Sequence, residues 1–247
     1  MKYQTILQFL LCIIIILVVS WFSFYMIQEG FANRNPINRI SGVVYINLED
    51  RKDRKKEIVT EMKKMRISPH KIHRVAAIAT PKNGYKGCTQ SHILGLTIGK
   101  LNKWKTTLLL EDDAELTVSS KEFQKRIAEM LDYLQDKRWD VIILSYANEQ
   151  LQPVPYSQRI KRVTYSTTAT AYIVNKHYLD TIIQLFKQGN SKMKYNIINA
   201  DGSHKGEPNV TDQIWHSLQQ KDKWYSFETN LINQRSSPSS SLATFSN

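Results

Sequence analysis

Apolar and polar positions divide the chain into stretches of different character. From Ile6 to Ile27 no residue is charged, and the polar breaks are Gln8, Ser20 and Ser23. A helix of that length is roughly 33 Å long, enough to cross about 30 Å of hydrocarbon, so residues 1–27 read as a short tip followed by a transmembrane helix. A cleaved leader is the competing reading, because Gly30-Phe31-Ala32 places small residues where a signal peptidase looks. Residues 28–40, with Gly30, Pro36 and three asparagines, read as a stem.

Beyond the stem, short apolar runs alternate with helical periodicity. Strands are predicted at 43–48, a short β-branched run, and at 72–78, 106–110, 141–144, 169–174 and 224–227. Between them, Ile58, Met62 and Met65 keep helical spacing over 51–65, where Asp50 is a candidate cap. A loop carrying Gly84 and Gly87 is predicted to precede a helix over 91–103 with Leu94, Ile98 and Leu101 on one face. Ser119 and Glu122 form a capping-box pattern ahead of Phe123, Ile127, Met130, Leu131 and Leu134. Asn175 can cap a helix that stops near Gly189, and a short helix is predicted over 211–219. Residues 147–165 read as a loop or hairpin, and 234–247 as a serine-rich, mobile tail. The domain, 41–233, is therefore expected to be α/β, with a mainly parallel sheet flanked by helices and its site at the carboxyl ends of the strands.

Composition sharpens this in two ways. All but one of the 34 basic residues and all 22 acidic residues follow residue 27, so the domain is strongly basic. Such charge suits a phosphorylated small substrate, an anionic membrane or nucleic acid, but no zinc finger or aromatic RNA-binding motif is present and no nucleic-acid partner is expected. Of two cysteines, Cys12 lies in the apolar segment, which leaves Cys88 alone in the domain and excludes an intradomain disulfide and a cysteine-rich metal site. The weak charge bias about the apolar helix favours a single-pass, type II arrangement with the domain lumenal.

The candidate chemistry centres on Leu110-Glu111-Asp112-Asp113. Three carboxylates leaving an apolar strand repel one another unless positive charge sits among them. In extended geometry Glu111 and Asp113 share one side, and with a nucleotide diphosphate they suit a hard cation, Mn²⁺ or Mg²⁺. A solvated turn is the bland alternative. Arg51 and Arg54 share a face in the first turn of the first domain helix and could receive a phosphate there, unless Asp50 and Asp53 neutralise them. Gly87-Cys88-Thr89-Gln90-Ser91-His92 opens the next helix, with His92 either a ligand contact or a surface residue. Asp212 is either a catalytic base for an acceptor hydroxyl or a carboxylate complementing its helix dipole.

Taken in order, these segments resemble glycosyltransferase family 25, which includes lipooligosaccharide and procollagen galactosyltransferases. The resemblance runs from Val43 to about Ser241. It lies in Ile46-Asn47-Leu48 with Arg51 and Asp53-Arg54; His73-Arg74-Val75-Ala76-Ala77; Gly87-Cys88 with Ser91-His92; Leu110 to Ala114; Trp139 to Leu144; Thr168 with Ala171 to Val174; and Thr211-Asp212-Gln213. It implies a GT-A-like nucleotide-sugar-binding fold, a UDP-sugar donor, a divalent metal, and inverting transfer of a hexose, galactose or glucose, to a hydroxyl of a glycan, lipid-linked sugar or protein. On it, Glu111 and Asp113 would hold the metal; Asn47, Arg51, Arg54, Glu111 and Asp112 would line the donor side; Asp212 would be the base and His92 a secondary catalytic candidate. The family often ends in glutamine followed by a serine-aspartate-isoleucine stretch, whereas Gln234-Arg235-Ser236-Ser237 carries no acid. The alternative from another class is a non-catalytic, membrane-tethered glycan- or polyanion-binding protein on a decayed transferase fold.

Overall fold

The computed structural model describes residues 11–23, 35–197, 199 and 206–236. Residues 11–23 form helix α1, whose large apolar side chains are exposed. Among the described residues no helix is long and apolar enough to cross a membrane. The rest of the expected span, most of the stem and the tail beyond Ser236 lie outside the described residues.

The domain runs β1 (Gly42–Asn47), α2 (Lys52–Lys64), β2 (Ile72–Ala76), α3 (Gly84–Leu101), β3 (Thr106–Glu111), β4 (Ala114–Leu116), α4 (Ser120–Tyr133), β5 (Val141–Ile143), β6 (Ala147–Val154), β7 (Ser157–Thr167), β8 (Ala171–Asn175), α5 (Leu179–Lys192), α6 (Thr211–Ile214), α7 (His216–Lys221), β9 (Trp224–Phe227) and β10 (Ile232–Gln234). Eight strands form one sheet in the order β2-β1-β3-β8-β5-β9-β7-β6, and β10 pairs with β4 in a small second sheet. The main sheet is mixed rather than mainly parallel. β1 is parallel to β2 and β3, and β5 to β9, but β8 runs antiparallel to both β3 and β5. The segment 147–167 is a long hairpin, β6 on β7, that extends the edge.

Strand periodicity sorts the core onto the two faces. Val43, Tyr45, Leu108 and Leu110 pack with Ile58, Met62, Phe123, Ile127 and Met130 beneath α2 and α4. Their neighbours Val44, Ile46 and Leu109 pack with Leu96, Ile182, Phe186, Trp215 and Trp224 on the side of α3 and α5. Runs buried on both faces carry no alternation, which is why these strands read as continuous apolar segments.

Three local features differ from the sequence expectation. Arg51, not Asp50, is the N-cap residue of α2. α3 starts at Gly84, where Asn83 accepts a hydrogen bond from the Lys86 amide, so Gly87 is helical. A Cβ there would lie 2.2 Å from the Ile78 carbonyl oxygen, so glycine is what lets the chain leaving β2 pass against the helix. The end of the expected stem belongs to the domain: a 3-10 turn, Pro36–Arg39, buries Ile37, and the Ile37 amide donates to Gln124 on α4.

Candidate active site

β1 and β3 are parallel neighbours, so their carboxyl ends place Asn47 and Glu111 side by side, and β8 begins beside them. The backbone around the acidic turn is held from two directions. The Glu111 amide donates to the Thr170 carbonyl at 2.9 Å, and the Asp113 carbonyl accepts from the Arg235 amide at 2.8 Å.

Each carboxylate of the triplet has its own surroundings. Glu111 accepts from Thr170 Oγ1 at 3.1 Å on Oε2, and its Oε1 meets His92 Nε2 at 3.0 Å and Cys88 Sγ at 3.5 Å. Burial opposes its ionisation, but the bonds from His92, Thr170 and Cys88 prevail and hold it below the usual carboxylate range. Asp112 accepts from Asn47 Nδ2 at 2.8 Å and from Arg54 Nη1 at 3.1 Å. Burial outweighs both and pushes it up. Asp113 Oδ2 meets Gln234 Nε2 at 3.2 Å and Arg54 Nη1 at 3.5 Å. Its Oδ1 is buried and accepts no hydrogen bond from the described residues. Burial first, then the charge of Glu111, raises Asp113 to about 7.

An ionised carboxylate oxygen buried without a donor is costly, and either a proton, as the raised pKa of Asp113 reflects, or a cation removes the cost. The unpartnered Oδ1 of Asp113 is an oxygen donor of the kind a hard divalent ion takes. Cys88, His92 and Glu111 also bring one ligand-type atom each to within 4.8 Å of one another. That trio is already satisfied internally. Nε2 of His92 meets Glu111 at 3.0 Å and its Nδ1 meets the Tyr172 hydroxyl at 2.9 Å, so the imidazole is locked between two partners.

Two clefts meet at the triplet. The first, about 120 Å³, is lined by Asn47, Arg54, Ile78, Thr80 and Ser91 together with all three acids. The second, about 460 Å³, is lined by Tyr85, Thr168, Thr170, Thr211, Asp212 and Arg235. Cys88, Glu111, Asp113 and Gln234 form the wall common to both.

The structure thus gathers Asn47, Arg54, Glu111, Asp112 and Asp113 around the first cleft and puts Asp212 on the second. Arg51 stands apart: it lines neither cleft and pairs with Asp53 across the surface at 2.7 Å. His92 is fully buried and lines neither cleft, so it can act only through Glu111 and Tyr172. Asp212 Oδ2 accepts from the Thr168 amide at 2.9 Å, where Thr168 has a φ of 77°. A β-branched residue in that region is strained, and the bond helps to hold it.

Sequence reasoning missed Gln234 and placed it in a mobile tail. Instead β10 joins β4, and Arg235 forms ion pairs with Glu57, Glu61 and Glu115. Nothing local marks Gln234, because its partner Asp113 is 121 residues away. Thr170 and Tyr172 were also missed as partners of Glu111 and His92, since a residue at the mouth of an apolar strand shows no sign of which neighbour it will meet.

No family model matches the sequence, and no curated protein sequence matches it. Among solved structures, the chain is similar to mannose-1-phosphate geranyltransferase from Thermus thermophilus, at 7% identity and TM-score 0.44 over 78% of this chain and 73% of that one. It is also similar to a glycosyltransferase involved in glycosylation of the major capsid of PBCV-1, at 12% identity and TM-score 0.41 over 81% of this chain and 95% of that one. The fold and site by themselves define an α/β protein with a carboxylate-lined double cleft at the carboxyl ends of its central strands.

Proposed function

We propose that the protein is a metal-dependent glycosyltransferase that moves a hexose, galactose or glucose, from a UDP-sugar to a hydroxyl of a glycan, a lipid-linked sugar or a protein, with inversion. The observation that carries this reading is the buried Asp113 Oδ1, which accepts no hydrogen bond from the described residues at the wall between two clefts. Asp113 and Glu111 would hold Mn²⁺ or Mg²⁺, which when bound neutralises charge on a leaving diphosphate.

The other roles follow from position. Asn47 and Arg54 fix Asp112 and line the first cleft, on the donor side. Arg54 also supplies the nearest fixed positive charge to a diphosphate there. His92, backed by Tyr172, is a positioning residue that orients Glu111. Asp212 lines the second cleft, where an acceptor hydroxyl would approach from the side opposite the leaving group, as inversion requires, and serves as base.

The test is UDP-sugar turnover by the full chain with Mn²⁺, Mg²⁺ or EDTA, beside Asp113→Asn. Cation-dependent turnover, lost in a folded Asp113→Asn protein, supports the reading. Turnover that survives both EDTA and the substitution sinks the metal assignment. Glycan binding with no turnover of any donor favours the non-catalytic alternative.

A further inference from the structure

The opposite end of the sheet from the acidic turn has its own character. Five connections land there: α2 to β2, α3 to β3, α4 to β5, β8 to α5, and α7 to β9. They are contiguous through the backbone. The Lys176 amide donates to the Lys105 carbonyl at 2.9 Å, the Asn175 amide to Asp140 at 3.0 Å, and the Asp140 amide to Lys223 at 2.9 Å. These turns carry the exposed side chains of Arg66, Lys103, Lys105, Lys137, Arg138 and Lys176. Among the described residues none of these six forms an ion pair. The acids nearby are mostly engaged, with Asp140 on His177, Asp180 on Lys100 and Asp132 on Arg39, while Asp136 is exposed and forms no ion pair with the described residues. Leu101, 74% exposed, ends α3 at the turn into β3.

The chain enters the domain at this same end. Asn38 Nδ2 donates to the Arg66 carbonyl at 3.3 Å, Lys71 Nζ to the Ile40 carbonyl at 3.0 Å, and the Ser41 amide to Thr106 Oγ1 at 2.9 Å. Upstream lies α1, whose Leu11, Ile14, Leu17 and Phe22 are each more than half exposed. Twelve peptide steps separate residue 23 from residue 35, so the end of the apolar helix lies at most about 43 Å from the point where the chain enters the domain.

We propose that this basic end face, where the chain enters the domain, is a docking surface for an anionic phospholipid bilayer, which holds the double cleft on the side away from the lipid. The inference is independent of the chemistry performed in the clefts. Its physical basis is additive. Each basic residue held near an anionic surface adds to the attraction at moderate ionic strength, and α1 partitioned into the same bilayer keeps the face at the surface. Six cations lie on these connected turns, and an exposed Leu101 can enter the headgroup layer. Charge of this kind needs an anionic leaflet, whichever side of the membrane carries it.

The experiment uses the full chain in nanodiscs of phosphatidylcholine alone or with one part in three phosphatidylserine, footprinted with a water-soluble acetylating reagent and read by mass spectrometry. Docking predicts several-fold less acetylation of Lys103, Lys105, Lys137 and Lys176 with phosphatidylserine than without, reversed by high salt, while the exposed Lys52 and Lys192, at the cleft ends of α2 and α5, react equally in both. A Lys103→Glu, Lys105→Glu, Lys176→Glu variant with unchanged melting should lose the remaining protection of Lys137. Equal acetylation in the two lipids overturns the proposal. So does protection by added double-stranded nucleic acid but not by phosphatidylserine, which would assign the face to a different polyanion.

Discussion

Gln234 Nε2 donates to Asp113 Oδ2 at 3.2 Å across 121 residues of sequence, and through that bond the last described strand closes over the acidic turn. The bond opposes the rise in the Asp113 pKa, and it holds one oxygen so that the other is presented to a cation. Gln234→Ala is expected to weaken Mn²⁺ binding by roughly tenfold at neutral pH, since a hydrogen bond to a charged group contributes about 1.5–3 kcal/mol. Titration of the melting temperature with Mn²⁺ measures it. Unchanged affinity would mean that the strand only covers the turn.

Asp113 also sets a pH dependence. In the fold it keeps its proton up to about pH 7, whereas in the unfolded chain it ionises in the ordinary carboxylate range. Between those limits the folded state binds more protons, so its contribution to stability falls as pH rises through the window. Glu111, held low, has the opposite slope in a more acidic window: its contribution is present above its unfolded pKa and lost as pH drops through its folded one. A divalent ion competes with the Asp113 proton. The rise in melting temperature on adding Mn²⁺ should therefore be larger at pH 8 than at pH 5.5 and should vanish in Asp113→Asn. Scanning fluorimetry at the two pH values decides it, and an equal rise at both would place the ion elsewhere.

What was legible in the sequence is what short-range pattern determines. Leu108 to Leu110 and Ala171 to Val174 are strands because apolar side chains fill both faces, and Ser119 caps α4 by accepting from the Glu122 amide at 3.2 Å, as its spacing implied. The cluster at the end of β3 was legible as charge in an apolar context. Strand direction was not, because the antiparallel placement of β8 depends on the route of the β6–β7 hairpin and not on the composition of β8. Nor was the start of α3, since a Gly84 and Gly87 pair reads as a loop until the chain that packs on Gly87 is known. Arg51 and Arg54 looked equivalent by spacing. Which of the two turned inward to Asp112 and which paired with Asp53 is a matter of tertiary contact.

Gly87 gives a prediction that touches both stability and the first cleft. An alanine methyl would fall 2.2 Å from the Ile78 carbonyl oxygen and 2.7 Å from Thr80 Oγ1, both on residues lining that cleft. Gly87→Ala is expected to destabilise by about 1–3 kcal/mol, the range for overpacking against parts that cannot turn aside. Gly206→Ala, where a Cβ would meet no atom of the described residues within 4 Å, should be near neutral. Urea denaturation of the two variants compares them directly, and equal midpoints would contradict the packing at Gly87.

Asp212 makes a structural bond and is proposed as the catalytic base, and isosteric substitution separates the two roles. Its Oδ2 holds the amide of Thr168 at a φ of 77°, and the carboxylate lines the cleft proposed for the acceptor. Asparagine keeps an oxygen for the Thr168 amide but cannot take a proton from an acceptor hydroxyl. Asp212→Asn should therefore melt like the parent while kcat for transfer drops by roughly 10²–10⁴, the usual contribution of a general base. Asp212→Ala removes both, so Thr168 loses its restraint and the melting temperature should drop as well. If the asparagine variant turns over normally and only the alanine variant fails, Asp212 is a structural brace for a strained loop, and the base must be sought among the other polar groups of the second cleft.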